Sequence, residues 1–63
     1  MRAREIEKIV KADGWYEIRS SAGSHKQYKH DVKIGKVTIP YHSGDLPQGT
    51  INSILRQAGL KPL

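Results

Sequence analysis

The chain combines a length of 63 residues with a complete lack of cysteine, and this combination limits its fold more than any other feature. A domain of this size buries only about 60% of the surface that its unfolded chain exposes, so its core is small. Neither a disulfide nor a thiolate metal site can reinforce that core. We therefore expect a single domain over residues 1–63. Its chemistry should lie on an open face, because there is no room for an enclosed cofactor site.

The sequence contains no segment that is typical of membrane proteins. No apolar run approaches the roughly 20 residues that a membrane span needs. Residues 1–5 lack the apolar stretch of a signal peptide. Together with the lack of cysteine, this favours a cytoplasmic protein without a membrane partner.

The net charge of +5 is concentrated in the middle third of the chain. In residues 1–18 four bases cancel four acids, whereas residues 19–36 hold five bases and one acid, a local net charge of +4. The five bases are Arg19, Lys26, Lys29, Lys33 and Lys36. A basic stretch that lacks acids is typical of a surface that meets phosphates, so a nucleic acid or another polyanion is the favoured partner.

Hydrophobic spacing predicts a helix near each end of the chain. Apolar residues recur three and four positions apart over residues 2–11, and Gly14 can end this helix with a positive φ. The same spacing recurs over residues 48–58, followed by Gly59 as a cap and by Pro62.

Three segments between the helices predict β-strands, at residues 15–20, 25–30 and 36–40. Turns separate them at residues 21–24 and 31–35. The predicted fold class is α+β, in the order α-β-β-β-α, with two helices on one face of a three-stranded antiparallel sheet. The other face of the sheet then remains open to solvent and to a ligand.

The first hairpin favours one register. A three-residue loop at 22–24 pairs Ile18 with Tyr28 on the helix side and Glu17 with Lys29 on the open side. The other residues expected on the open side are Arg19, His25 and Gln27.

His25 is the candidate for acid–base chemistry, because histidine titrates near neutrality. His30 lies an odd number of residues further on and should face the opposite way, so the two cannot share a metal ion. We expect no zinc site, since cysteine and a carboxylate cluster are lacking. Ser24 and His25 are neighbours in a strand and point apart, which makes them a poor nucleophile–base pair. By spacing alone, a single histidine on a small domain is more often structural than catalytic.

The aromatic residues of the strands are expected to fill the core rather than to stack on bases. This expectation covers Trp15, Tyr16 and Tyr28. Lys33 and Lys36 can be read simply as solvated turn residues.

Several motifs in a fixed order resemble the HicA toxin family over nearly the whole chain. They are Asp13-Gly14-Trp15, Gly23-Ser24-His25-Lys26-Gln27-Tyr28-Lys29-His30, Val37-Thr38-Ile39-Pro40-Tyr41-His42, Leu46-Pro47-Gln48-Gly49-Thr50 and Ile54-Leu55-Arg56-Gln57-Ala58-Gly59-Leu60. The resemblance implies a fold like that of double-stranded-RNA-binding domains and a toxin that cleaves mRNA without a metal or other cofactor. It implies a HicB-type antitoxin as partner, with operator DNA contacted only through the complex of the two proteins.

In the family, the histidine of the Gly-Ser-His motif is catalytic, and here it corresponds to His25. His42 matches the family's Pro-x-His motif, but no catalytic role is carried over to it. Beside His25, the residues expected to contact RNA are Arg19, Ser24, Lys26, Gln27, Lys29 and Lys36.

Two other functions would give the same fold order and basic patch. One is a module that binds double-stranded RNA without cutting it. The other is a protein-interaction domain whose basic face meets an acidic partner. Cleavage that depends on His25 would distinguish the toxin from both.

Overall fold

The computed structural model describes residues 1–18, 25–41 and 43–62. Its elements are α1 (Ala3–Ala12), β1 (Tyr16–Ile18), β2 (His25–Lys29), β3 (Val37–Pro40) and α2 (Gln48–Gln57). The strands form one antiparallel sheet in the order β1-β2-β3, which confirms the predicted α-β-β-β-α fold. No helix in this described part of the chain is long and apolar enough to cross a membrane.

Both helices end in the same glycine motif. At the end of α1 the backbone N–H of Trp15 donates to the carbonyl of Val10 at 3.1 Å, and that of Gly14 donates to Lys11 at 3.0 Å. The same pair of bonds recurs at the end of α2, around Gly59. The motif needs a positive φ at the glycine, and the observed angles of 106° and 72° explain why the sequence places glycine at both ends.

The core lies between the two helices and one face of the sheet. Tyr28, Val37 and Ile39 point from the strands towards the helices and are fully buried. Among the described residues, the core cluster comprises Ala3, Ile6, Val10, Trp15, Tyr28, Val37, Ile39, Leu46, Ile51, Ile54, Leu55 and Ala58. The helices therefore cover one face and leave the other open, as the sequence predicted.

The two helices run in the same direction, because the contacts join like ends. Near their starts, the N–H of Leu46 donates to the carbonyl of Met1 at 2.8 Å, and α2 begins directly after Leu46 and Pro47. Near their ends, the Trp15 indole donates to the carbonyl of Ala58 at 3.3 Å.

Lys33 joins the C-terminal ends of both helices. Its Nζ lies 2.6 Å from Oδ2 of Asp13, the C-cap residue of α1, and 3.0 Å from the carbonyl oxygen of Ala58, the C-cap residue of α2. A cation at this place is favourable, because the C-terminal end of a helix carries partial negative charge. The hydrogen bond also holds the pKa of Asp13 below its usual value despite partial burial. Lys33 is therefore a structural link as well as a turn residue.

The predicted register of the first hairpin is wrong by one residue. Glu17, not Ile18, lies opposite Tyr28, and Ile18 lies opposite Gln27 on the open face. On the helix side, Glu17 sits at the edge of the sheet, where it stays exposed and its carboxylate comes within 3.8 Å of Lys26 Nζ. The prediction assumed that a helix covers this position of β1. A helix covers Tyr28 in the centre of the sheet but does not cover Glu17 at its edge. The predicted loop at residues 22–24 and the predicted place of Arg19 on the open side lie outside the described residues.

Candidate functional site

The open face of the sheet carries three of the predicted site residues in a row. His25, Gln27 and Lys29 alternate along β2, so all three project to the side away from the helices. His25 and Lys29 are exposed and Gln27 is half-buried. His25 begins the strand and lies opposite Pro40, the last residue of β3. The structure therefore brings these three residues together on one accessible surface.

Other predicted residues lie elsewhere. Arg19, Ser24 and His42 are outside the described residues. Lys36 is exposed directly before β3, at the end of the sheet that lies away from His25.

Lys26 lies on the helix side of β2, so the structure does not bring it together with His25. Its Nζ is 3.9 Å from the Glu7 carboxylate and 4.1 Å from the centre of the Tyr41 ring, an arrangement that favours a cation. Glu17 provides a second carboxylate at 3.8 Å. The side chain remains 34% exposed, so one edge of it can still meet a ligand.

Glu7 is a buried carboxylate on α1 that receives two tyrosine hydroxyl groups. Tyr28 donates to Oε2, and Tyr41 donates to Oε1 at 3.1 Å. Burial alone would raise the pKa of Glu7, but these hydrogen bonds, with Lys11 and Lys26 nearby, lower it below its usual value. Burial and the hydrogen bond to Glu7 raise the pKa of both tyrosines. The network therefore stabilises the ionised form of Glu7.

This network positions the end of the sheet that carries His25. Tyr28 belongs to β2, and Tyr41 directly follows Pro40, the residue opposite His25. Glu7 thus links α1 to the central strand and to the segment that leaves β3. Sequence reasoning did not identify this link, since an acid at one position of a helix gives no sign of its partners.

The position of Tyr16 differs from the prediction. It was expected in the core, but its side chain projects from the open face opposite Lys29 and is 46% exposed. Trp15, directly before it, is buried. Neighbouring residues in an extended chain face opposite sides, so Trp15 and Tyr16 could not both have been core residues. That alternation was the available signal.

His30 has a structural role. Its Nε2 lies 2.8 Å from the carbonyl oxygen of Asp13, and its Nδ1 accepts the N–H groups of Val32 and Lys33 at 3.0 Å each. This pattern assigns the proton to Nε2 and fixes the β2–β3 turn against the end of α1. The ring also meets Trp15 edge-on, at 5.2 Å between centroids.

Metal ligands do not cluster in the part of the chain that the structure describes. Within residues 1–18, 25–41 and 43–62, no group of three or more histidine, aspartate or glutamate side chains is arranged to hold a metal ion.

Comparisons with known proteins agree with this architecture. A family model described as the HicA toxin of bacterial toxin–antitoxin systems matches residues 3–60. A chain from a solved toxin–antitoxin complex of Streptococcus pneumoniae is 33% identical, with a TM-score of 0.81. The match covers 95% of this chain and 98% of that one. None of the curated proteins compared with the sequence matches it significantly.

Proposed function

Since the chain belongs to the HicA toxin family of bacterial toxin–antitoxin systems, we propose that it is an endoribonuclease that cleaves mRNA and thereby stops translation. The observation that carries this proposal is the exposed His25 at the start of β2, in a row with Gln27 and Lys29. An open face of this kind suits a long polymer, which can lie across it without entering a pocket.

RNA needs only one protein group to begin its own cleavage, because the 2′-hydroxyl is the nucleophile. The neutral imidazole of His25 accepts the 2′-OH proton while O2′ forms a bond to the adjacent phosphorus. The P–O5′ bond then breaks, leaving a 2′,3′-cyclic phosphate and a 5′-hydroxyl end. In this scheme water gives its proton to the leaving oxygen, and the resulting hydroxide takes the proton from His25, which restores the neutral imidazole. No metal ion takes part in it.

Strand geometry divides the roles of Gln27 and Lys29. Gln27 is two residues from His25, about 7 Å along the strand, and can donate hydrogen bonds close to the reacting phosphate. Lys29 is four residues away, about 13 Å, so its ammonium group binds a neighbouring phosphate rather than the scissile one. Lys29 is therefore a poor donor for the leaving oxygen, which favours water in that role.

The remaining predicted residues would add RNA contacts beyond the row formed by His25, Gln27 and Lys29. Arg19 and Ser24 precede His25 in the sequence, and they would offset charge at the scissile phosphate by an ion pair and a hydrogen bond. Lys36 would contact the RNA further along its backbone, and Lys26 would contact it with the exposed part of its side chain. Tyr16, opposite Lys29, offers a ring on which one base can stack.

We further propose that a HicB-type antitoxin neutralises the chain by covering the open face. The similar chain from a toxin–antitoxin complex supports this partner. Operator DNA would then be contacted only through the complex of toxin and antitoxin. The cytoplasm, where mRNA is translated, is the site of action in this proposal.

The decisive experiment incubates the purified chain with a long single-stranded RNA in excess EDTA, beside the variant His25→Ala. We expect fragments with cyclic phosphate ends from the native chain and none from the variant. A substrate with one 2′-deoxy nucleotide at a mapped cleavage site should resist cutting there, because it lacks the nucleophile. If the native chain and the variant both bind RNA and neither cuts it, the proposal is replaced by a non-catalytic RNA-binding module.

A further inference from the structure

The charges of residues 1–18 cancel along the sequence, but the bases and acids of α1 separate on the surface of the helix. Arg4, Lys8 and Lys11 are spaced four and three residues apart, so they lie on one side of α1, and all three are exposed. We call these three residues the α1 stripe. Lys11 follows Arg4 by seven positions, so the stripe extends for about 10 Å along the helix axis.

The acids of α1 are directed away from this surface. Glu7 is turned into the protein, with both carboxylate oxygens engaged by tyrosine hydroxyl groups. Glu5 folds back to the start of the helix, where it accepts the N–H of Arg2 at 2.7 Å. Glu7 still offsets one positive charge, since Lys11 Nζ lies 3.6 Å from it. Lys26 also lies beside Glu7. The surface around the stripe therefore carries more basic side chains than acidic ones.

A groove connects the stripe with the end of the sheet that carries His25. It is lined by Arg2, Ala3, Arg4, Tyr41, Ser43 and Gly44. Tyr41 directly follows Pro40, which is paired with His25. A single-stranded RNA that leaves the open face at His25 can therefore pass Tyr41 and reach Arg4 without crossing a helix.

We propose that the α1 stripe binds the backbone phosphates of the RNA on one side of the scissile bond. This inference rests on the proposed function, and it adds a second contact surface on the opposite side of the molecule from the open face. The occupant is RNA rather than an acidic protein, because none of the exposed large hydrophobic side chains among the described residues lies on α1; they are Tyr16, Val32 and Ile34. Protein partners usually dock through a buried aromatic or aliphatic centre, whereas a phosphate track requires only spaced cations.

The salt dependence of RNA binding tests this proposal directly. Each phosphate that a protein neutralises on a single strand contributes about 0.7 to the slope of log affinity against log salt. Binding would be measured by fluorescence anisotropy in the His25→Ala background, with a labelled single-stranded RNA. The double variant Arg4→Gln/Lys8→Gln should lower the slope by about 1.4, so that the affinity lost between about 50 and 200 mM salt shrinks about sevenfold.

A matched control removes the same charge elsewhere. Arg56→Gln/Lys61→Gln changes two exposed bases, one in the last turn of α2 and one beyond the helix, and should leave the slope nearly unchanged. Arg4→Lys/Lys8→Arg should retain the native slope. An equal loss of slope in both glutamine variants would mean that only net charge matters, and it would overturn the proposal. An unchanged slope in Arg4→Gln/Lys8→Gln would overturn it too.

The two proposals can fail separately. If the native chain cuts RNA but the slope ignores Arg4 and Lys8, the stripe is not a binding surface and the nuclease assignment stands. If the slope falls as expected but no RNA is cut, the stripe stands and the nuclease assignment fails. Weakened binding of an acidic protein, with RNA binding unchanged, would assign the stripe to a protein partner and overturn the RNA proposal.

Discussion

At the scale of single residues, Glu7 shows how a charge can be buried without destabilising a small core. A buried carboxylate is costly when it lacks partners, but here each oxygen accepts a tyrosine hydroxyl group and two lysines stand nearby. Removing one partner would leave a buried polar group without its hydrogen bond. The loss of any single member of the network should therefore destabilise the folded chain.

This network predicts a loss of stability in acid. Because the pKa of Glu7 in the folded chain lies below its ordinary value of 4.5, its contribution is complete above about pH 4.5. That contribution is lost as the pH falls from there through the folded pKa. Glu7→Gln should cost about 1–3 kcal/mol at neutral pH. It should also flatten the acid side of the stability curve, measured by urea unfolding at several pH values.

The acid side should not become completely flat, because Asp13 also has a lowered pKa through its bond to Lys33. Asp31→Asn is the control, since it removes an exposed carboxyl group and leaves Glu7 in place. A Glu7→Gln curve that runs parallel to the native one down to about pH 3 would contradict the assignment.

Tyr16 yields a prediction about binding rather than stability. If its exposed ring stacks on a base, Tyr16→Ala in the His25→Ala background should weaken RNA binding by about 1–3 kcal/mol. Tyr16→Phe should bind normally, because the ring is retained. Val32→Ala, at an exposed position in the β2–β3 turn, serves as the control in the same anisotropy titration. A phenylalanine variant as weak as the alanine variant would point to the hydroxyl group instead.

The site could be predicted from the sequence only where alternation along one strand determines it. That rule places His25, Gln27 and Lys29 on the same face, and the structure confirms this arrangement. The same rule should have separated Lys26 from His25, but Lys26 was grouped with it by charge. The partners of Lys26, above all Glu7, come from distant parts of the chain, and no local pattern reveals them.

At the scale of elements, the helices were predicted almost to the residue and the strand register was not. The helix ends follow from local chemistry, since Gly14 and Gly59 supply the left-handed backbone that ends a helix. Register depends on which positions a distant helix covers, and β1 has only the three described residues Tyr16–Ile18 to indicate it. The sequence of β1 does not show that a helix covers Tyr28 and leaves Glu17 exposed.

The two glycine caps provide a prediction with a built-in comparison. A side chain at Gly59 meets only ordinary contacts at φ +72°, so Gly59→Ala should cost about 1–2 kcal/mol of backbone strain. At Gly14, with φ +106°, a Cβ would lie 2.7 Å from Nε2 of His30. Gly14→Ala should therefore cost more, as measured by the midpoint of urea unfolding.

A double variant isolates the steric part of this difference. In a His30→Ala background the clash is absent, so the additional cost of Gly14→Ala should approach that of Gly59→Ala. Equal costs in the native background would mean that the end of α1 shifts to make room for the new methyl group.

At the scale of the whole molecule, the two ends of the helix layer differ in charge. Both helices start near the segment that follows β3, and both end at Lys33. Their partially positive N-terminal ends therefore point towards the end of the sheet that carries His25. The partially negative ends face away and are neutralised by a lysine that belongs to the fold. This orientation favours an anionic ligand at the end of the sheet that carries His25.

The small core makes ligand binding visible as stability. A ligand that binds only the folded chain, at about one hundred times its dissociation constant, adds about 2.7 kcal/mol to the free energy of unfolding. For a domain of this length each kcal/mol raises Tm by about 4–8 °C, so saturating single-stranded RNA should raise the Tm of the His25→Ala variant by roughly 10–20 °C. The shift should shrink as salt is added, because it arises from phosphate contacts. A Tm that saturating RNA does not move would mean that the folded chain has no RNA-binding face, since every phosphate contact proposed for the open face and the α1 stripe requires the folded state.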